Sequence, residues 1–135
     1  MKVFIDTNIL ISCIVWPDSK PDLAFLKAAY ADGNNAVVCE YSINELDRIV
    51  RKKFSGHVHD MISFLAKHMP VLEVVPFTSA PYEAEQLIRD ENDRPILRAA
   101  IMSGADILLT GDKDFLESGI THPRIMNAAE FLALQ

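Results

Sequence analysis

The 135 residues, 50% of them hydrophobic and 24% charged, suffice for one folded unit with its own core and are too few for two comfortable ones. That balance is ordinary for a globular chain. No apolar run approaches membrane-spanning length, and no repeats, linkers or low-complexity stretches mark an internal boundary, so residues 1–135 read as one domain. A net charge of −6 argues at first sight against a nucleic-acid partner, which is normally met by a basic surface.

The chain opens on a short apolar run, Val3 to Ile5, followed at once by Asp6, Thr7 and Asn8. An uninterrupted run of this kind predicts a strand buried on both faces, as in the middle of a parallel sheet covered by helices. Asp6 then falls just beyond the C-terminal end of the strand, where open parallel sheets carry their working residues. Taken alone, Asp6 reads as a helix cap, because an acid suits the positive end of a helix. No basic, cleavable leader precedes the strand, so the expected location is the cytoplasm.

Residues 9–16 continue as a short helix that ends before Pro17. Ser19-Lys20-Pro21 starts a second, on which Leu23, Leu26 and Tyr30 form the expected apolar stripe before Gly33 stops it. Ala36 to Cys39 predicts a second strand. Ser42 and Glu45 have capping-box spacing and open a helix with Ile43, Leu46, Ile49, Val50 and Phe54 on its core face. Its other positions include Arg48, Arg51, Lys52 and Lys53, the one basic cluster of an acidic chain. They read either as a solvated face or as a phosphate-tracking patch beside Glu45.

After Gly56, residues Val58, Met61, Ile62, Leu65 and Met69 mark a further amphipathic helix, so 42–69 predicts a helical hairpin projecting from the sheet. His57 and His59, with no cysteine or third histidine nearby, read as surface residues at a helix start. Cys13 and Cys39 lie in apolar segments and read as buried free thiols of a reducing compartment.

Residues 71–75 predict a third strand, followed by a loop through Pro76, Thr78 and Ser79. Pro81 then opens a helix that turns Ala84, Leu87 and Ile88 inward. The most informative passage runs from Arg89 to Phe115. It reads as an acidic turn with Asp90 and Asp93, a helix burying Ile96, Leu97, Ala100 and Ile101, a stop at Gly104, a strand Ile107 to Leu109, and a second acidic turn with Asp112 and Asp114. Arg124 to Met126 predicts an edge strand, and Asn127 caps a terminal helix through Phe131 and Leu134.

Each acid has a structural reading of its own, as a cap or a turn residue. Topology changes the balance: parallel strands joined by right-handed crossovers put all their C-terminal ends on one rim. Asp6 and Asp112 then share that rim, and the helices bearing Glu45 and Asp93 can present their first turns to it. Carboxylates brought together repel unless they are protonated or face a cation. An all-oxygen set suits Mg²⁺ or Mn²⁺, and one or two such ions can activate water and stabilise the leaving oxygen of a phosphodiester. With Asp6, Glu45, Asp93, Asp112 and Asp114 neutralised by cations, the rest of the chain carries only −1, and the charge objection to a nucleic-acid partner largely disappears. The chain has no Gly-rich phosphate loop, no G-x-S-x-G and no dinucleotide fingerprint.

The Phe4-Ile5-Asp6-Thr7-Asn8 opening, Glu45, Asp90-x-x-Asp93 before an alanine-rich apolar helix, and Thr110-Gly111-Asp112 after an apolar strand resemble, in that order, the PIN domains. These are metal-dependent ribonucleases that include the toxins of VapBC-type toxin–antitoxin pairs. The resemblance spans essentially the whole chain. It implies a three-layer α/β/α fold on a mostly parallel sheet of four or five strands, with an acidic pocket for Mg²⁺ or Mn²⁺. Position by position it implies Asp6 and Asp93 as main ligands of a first ion, Glu45 acting directly or through water, and Asp112 helping to hold a second. Thr7, Asn8 and Thr110 match positions that orient these carboxylates, and Asp114 has a supporting place. Asp90 reads as a turn residue, and Arg94 as a contact to substrate phosphate or a partial filler of the metal site. The functional expectation is a metal-dependent endoribonuclease that cuts single-stranded or loop RNA as the toxin half of a VapBC-type toxin–antitoxin pair, with a protein antitoxin and a homodimer as the expected partners. The alternative is an inactive PIN-like binding module. A phosphatase with an aspartyl nucleophile fits less well, because Asp6-Thr7-Asn8 lacks the second acid such enzymes use.

Overall fold

A computed structural model describes residues 1–77 and 81–134, so Thr78 and Ser79 of the expected loop lie outside the described residues. The strands are β1 (Lys2–Ile5), β2 (Asn35–Cys39), β3 (Glu73–Val75), β4 (Ile107–Leu109) and β5 (Arg124–Met126). They form one sheet in the order β3-β2-β1-β4-β5, and every neighbouring pair is parallel. β1 therefore sits in the centre. Its run Val3 to Ile5 is fully buried because both faces of the sheet are covered.

The helices are α1 (Thr7–Val15), α2 (Lys20–Tyr30), α3 (Glu40–Lys53), α4 (Val58–His68), α5 (Arg94–Met102), α6 (Lys113–Leu116) and α7 (Ala128–Leu132). Strand side chains alternate between the faces. Val3, Ile5, Ala36, Val38 and Leu109 pack with residues of α1, α2, α3, α4 and α7. Phe4, Val37, Cys39 and Leu108 meet Ile96, Leu97, Ala99 and Ala100 of α5 and Phe115 of α6 on the other side. The result is three layers, α/β/α. Among the described residues no helix is long and apolar enough to cross a membrane. Cys13 and Cys39 are both buried and free.

Several expectations need correction. On α2 the stripe Leu23, Leu26 and Tyr30 faces outward, and the buried residues are Ala24, Phe25 and Ala28. The small residues let α2 lie close to α1 and α7, and Lys27 secures it by donating to the carbonyls of Phe131 (2.9 Å) and Leu134 (2.7 Å). α3 begins at Glu40, directly from β2, with Cys39 as a cap lacking a side-chain bond. Ser42 is thus inside the helix, buried, with a hydroxyl that has no hydrogen-bond partner, and the capping box is absent.

The hairpin of α3 and α4 does not project. Met61 is buried in the main core, and His68 stands among Phe25, Phe64 and Tyr30, with the Tyr30 hydroxyl 2.6 Å from its Nδ1. Ile62, expected inward, is exposed. The helix expected after Pro81 is a short 3-10 turn, Glu83–Leu87, with Ile88 buried but Leu87 exposed. The strand expected at 71–75 is shortened to β3 by a 3-10 turn at Met69–Val71.

Candidate functional site

The register Ile5↔Leu109 places the tips of β1 and β4 side by side, so the residues that follow each strand become neighbours. Asp6 donates its backbone N–H to the Leu109 carbonyl (3.0 Å) and caps α1, where its Oδ1 accepts from the Thr7 backbone N–H at 2.7 Å. Its Oδ2 accepts from the Thr110 hydroxyl (2.7 Å) and from Asn8 Nδ2 (3.1 Å). Thr110 Oγ1 in turn accepts the backbone N–H of Asp112 (3.0 Å), and Asn8 Oδ1 that of Gly111 (3.1 Å). Asp6 is therefore both a cap and one wall of a cavity. The cap leaves its orientation fixed from two strands.

That cavity, about 200 Å³, is lined by Asp6, Thr7, Asn8, Ile11, Glu45, Ile49, Asp93 and Asp112. Glu45 comes from the second turn of α3, Asp93 from the start of α5, and Asp112 from the turn into α6, where its Oδ1 accepts the Asp114 backbone N–H at 2.9 Å. Each of these three helices starts on the rim formed by the C-terminal ends of parallel strands, which is why acids far apart in sequence meet. A larger cavity, about 390 Å³, lies among α1, α2 and α4 beside Leu26, Phe64 and His68, and none of these four acids lines it.

The electrostatics of the pocket are those of crowded acids. Burial pushes the Asp6 carboxyl up to about 6, against the opposing hydrogen bonds from Thr110 and Thr7, and the charges of Glu45 and Asp112 add to the rise. Asp93 is held well above the usual carboxylate range, by burial first and then by its hydrogen bond and repulsion with Asp112. Burial and the Glu45 charge also raise the hydroxyl of Tyr41, which Arg48 partly offsets. The hydroxyl of Thr7, which lines the pocket, is buried without a hydrogen-bond partner.

Asp90 and Asp114, the second of which the sequence already gives a supporting place, stand beside Asp93. Carboxylate oxygens of Asp90, Asp93 and Asp114 all fall within 4.8 Å of one another, so Asp93 belongs to both groupings. Asp90 is also the turn residue expected of it, accepting from the Asn92 backbone N–H at 2.9 Å. Its approach to Asp114 depends on the turn before α5 meeting the first turn of α6 and leaves no spacing pattern to find. Arg89, also missed, pairs with Asp114 at 2.6 Å and Glu117 at 3.4 Å.

The basic candidates divide. Arg94 turns its guanidinium to the Ile88 carbonyl (3.1 and 3.2 Å) and Glu91, so it braces the loop before α5 rather than filling the pocket. Arg48 lies 3.8 Å from Glu45, and Arg51 pairs with Asp47 at 2.9 Å. Lys52 and Lys53 are exposed at the end of α3, with no ion pair among the described residues.

A parallel sheet between two helical layers, with acids gathered beyond the ends of its central strands, defines the class of the protein. The sequence pattern of the PIN domain matches residues 2–114, and the chain belongs to the PIN domain family. Protein MJ1680 of Methanocaldococcus jannaschii is 28% identical over 120 residues, covering 86% of this chain and 74% of that protein. The fold is similar to the crystal structure of VapBC2 from Rickettsia felis bound to a DNA fragment from their promoter, with a TM-score of 0.66, 23% identity, and 94% and 98% of the two chains covered. It is also similar to the PilT N-terminus domain protein SSO1118 of Sulfolobus solfataricus, with a TM-score of 0.56, 14% identity, and 98% and 92% covered.

Proposed function

We propose that the chain is a single-domain, metal-dependent endoribonuclease that hydrolyses phosphodiester bonds of RNA, and that it is the cytoplasmic toxin of a toxin–antitoxin pair. The observation that carries the reading is the convergence of Asp6, Glu45, Asp93 and Asp112 on one pocket in which two of the carboxyls resist ionisation. Such a pocket is poorly suited to stand alone and well suited to a cation. Its donors are hard carboxylate oxygens, so the residues fit one or two Mg²⁺ or Mn²⁺ ions. A divalent ion held there supplies acidification of water and polarisation of a phosphoryl oxygen.

The residues of the chain do the rest. Thr110, Asn8 and the Thr7 backbone N–H fix both oxygens of Asp6, so this ligand enters the reaction already oriented. Asp114 holds the Asp112 side chain in place through its backbone N–H. Glu45, partly exposed beside Arg48, lines the pocket, where it can hold water or take up a proton. The antitoxin and a possible homodimer draw support from the VapC-type members of the family and from the likeness to VapBC2. The outward Leu23, Leu26 and Tyr30 of α2 give such a partner apolar surface to cover.

The test is cleavage of a partly structured RNA with Mg²⁺ or Mn²⁺, beside EDTA and Asp93→Asn. Cutting is expected to vanish with EDTA. In the variant it should fall by more than the roughly 10–100-fold that disturbing a ligand's supporting bonds costs. Intact RNA in every lane, from protein that is folded and binds metal, would instead make this a PIN-like binding module. Cutting that survives Asp93→Asn would place the chemistry elsewhere.

Lys52 and Lys53 provide a second check. Replacing them with Ala should weaken RNA binding and leave metal affinity alone, and the slope of log affinity against log salt should drop by about 0.7 for each phosphate no longer neutralised. An unchanged slope would reduce the cluster to a solvated helix face.

A further inference from the structure

The acid pocket has a neighbour. Glu45 also lines a second cavity of about 190 Å³, together with Tyr41, Asn44 and Arg48. The spacing of these residues along α3 puts them on one face of the helix, one turn after another. Below the roughly 300–1,000 Å³ of a pocket that encloses a whole small molecule, this space suits one flat ring.

The walls are of the kind that holds such a ring. Tyr41 stacks on Phe77 with ring centroids 5.8 Å apart and planes 29° from parallel. The Arg98 guanidinium lies 5.9 Å from the centre of the Phe77 ring, and the Phe77 backbone N–H donates to Glu40 Oε1 at 3.3 Å. Phe77 thus braces the Tyr41 ring, and Tyr41 lines the cavity. Asn44 is exposed, and no hydrogen bond to its side chain occurs among the described residues. Its amide offers a donor and an acceptor side by side, the pair that matches N7 and N6–H₂ of adenine. Arg48, two-thirds exposed beside Glu45, is placed for a backbone phosphate.

We infer that Tyr41, Asn44 and Arg48 form a subsite that seats one unpaired base of the RNA next to the bond being cut, adenine in preference to the others. The subsite rests on the nuclease reading and adds to it the base that the RNA presents beside the cut. Single-stranded RNA is read by stacking splayed bases on aromatic side chains and bonding their edges, and a base held beside Glu45 brings the adjoining phosphate to the acid pocket. The preference for unpaired substrate follows, because a base within a duplex cannot enter.

The experiment uses short unstructured oligouridine RNAs in which a single position is changed to A, G, C or 7-deazaadenosine. Binding is followed by anisotropy and cleavage on gels, both with Mg²⁺. Wild-type protein is expected to cut beside the single A and to favour that RNA over uridine alone by about tenfold in kcat/KM and in affinity, the scale of one well-made base contact. The 7-deaza base, lacking N7, should lose most of the advantage. Asn44→Ala should bring the ratio of A to U close to one. Tyr41→Ala should weaken every RNA of the set, with Tyr41→Phe restoring the binding. Since Tyr41 is half-buried, Asn44→Ala on an exposed residue decides the matter if the Tyr41→Ala chain is loosened.

Two results would overturn the subsite, and they differ. Wild-type cutting with no base preference, matched by Asn44→Ala and Tyr41→Phe, removes the base subsite, keeps the nuclease and leaves the cavity to a protein side chain. No binding and no cutting of any RNA removes both.

Discussion

Asp6→Asn is expected to make the ion-free protein more stable at pH 8 while abolishing its response to Mg²⁺ and its cleavage of RNA. In the fold, the Asp6 carboxyl keeps its proton up to about pH 6, against 3.8 in an unperturbed chain, chiefly because it is buried. Between those values the folded state binds more protons than the unfolded one, so stability falls as pH rises through the window and stays low above it. A rise of this size corresponds to about 3 kcal/mol against folding at pH 8.

Asparagine removes the charge but supplies only one acceptor oxygen, where Asp6 accepts from Thr7, Asn8 and Thr110. A net gain of roughly 1–2 kcal/mol remains, a Tm about 3–6 °C higher for a chain of this length. The gap should narrow from pH 8 to pH 4, where the wild-type carboxyl is protonated in the fold. Added Mg²⁺ should reverse the order, because it stabilises the wild type by binding the charged site and gives little to the variant. Thermal melts in EDTA across this pH range, repeated with Mg²⁺, read both effects. A variant less stable than wild type at pH 8 in EDTA would mean that the bonds to the second Asp6 oxygen, from Thr110 and Asn8, outweigh the cost of its buried charge.

The parts of the molecule that were legible in the sequence are those where a local pattern has a single physical cause. The unbroken run Val3 to Ile5 requires cover on two faces, and the all-parallel sheet supplies it. An acid just after such a strand must then lie on the rim, and Asp6 and Asp112 do. Patterns with two causes misled. On α2, large apolar residues at helical spacing look like a core stripe, but the close approach of α1 and α7 selects Ala24 and Ala28 instead and leaves Leu23, Leu26 and Tyr30 outside. Ser42 and Glu45 have capping-box spacing, yet β2 runs straight into α3 and carries the helix start back to Glu40. The places of Asp90, Arg89 and Asp114 follow from the turn before α5 meeting α6, and the His68–Tyr30 pairing from two helices meeting. No spacing encodes these.

The same holds for the Glu85–Arg98 pair, whose loss should destabilise the fold as much as emptying a large core position. The two side chains are 3% and 13% exposed, and the guanidinium meets the carboxylate twice, Nη2 to Oε1 at 2.7 Å and Nε to Oε2 at 3.0 Å. The Arg98 hydrogen bond holds the Glu85 carboxyl below the usual range, and Glu85 also accepts from the Tyr82 backbone N–H. The pair ties the 3-10 turn Glu83–Leu87 to α5, at whose start Asp93 stands. Arg98→Met keeps the length of the side chain and strands a buried carboxylate, which is worth about 3–5 kcal/mol of stability at pH 7.

The sign of the pH dependence should invert. In the wild type, with the folded Glu85 value depressed, this pair's contribution is present above the unfolded carboxylate range and lost as pH falls through the folded value. In Arg98→Met the stranded carboxylate prefers its proton, so the variant should gain relative to wild type as pH falls from 7 toward 5. Replacing both partners, Glu85→Leu with Arg98→Met, should recover much of the loss because no buried charge remains. Urea unfolding of wild type and both variants at pH 5 and 7 decides it. If Arg98→Met loses less than about 1 kcal/mol, as an exposed pair would, the segment before α5 is held by its apolar packing through Ile88 and not by the ion pair.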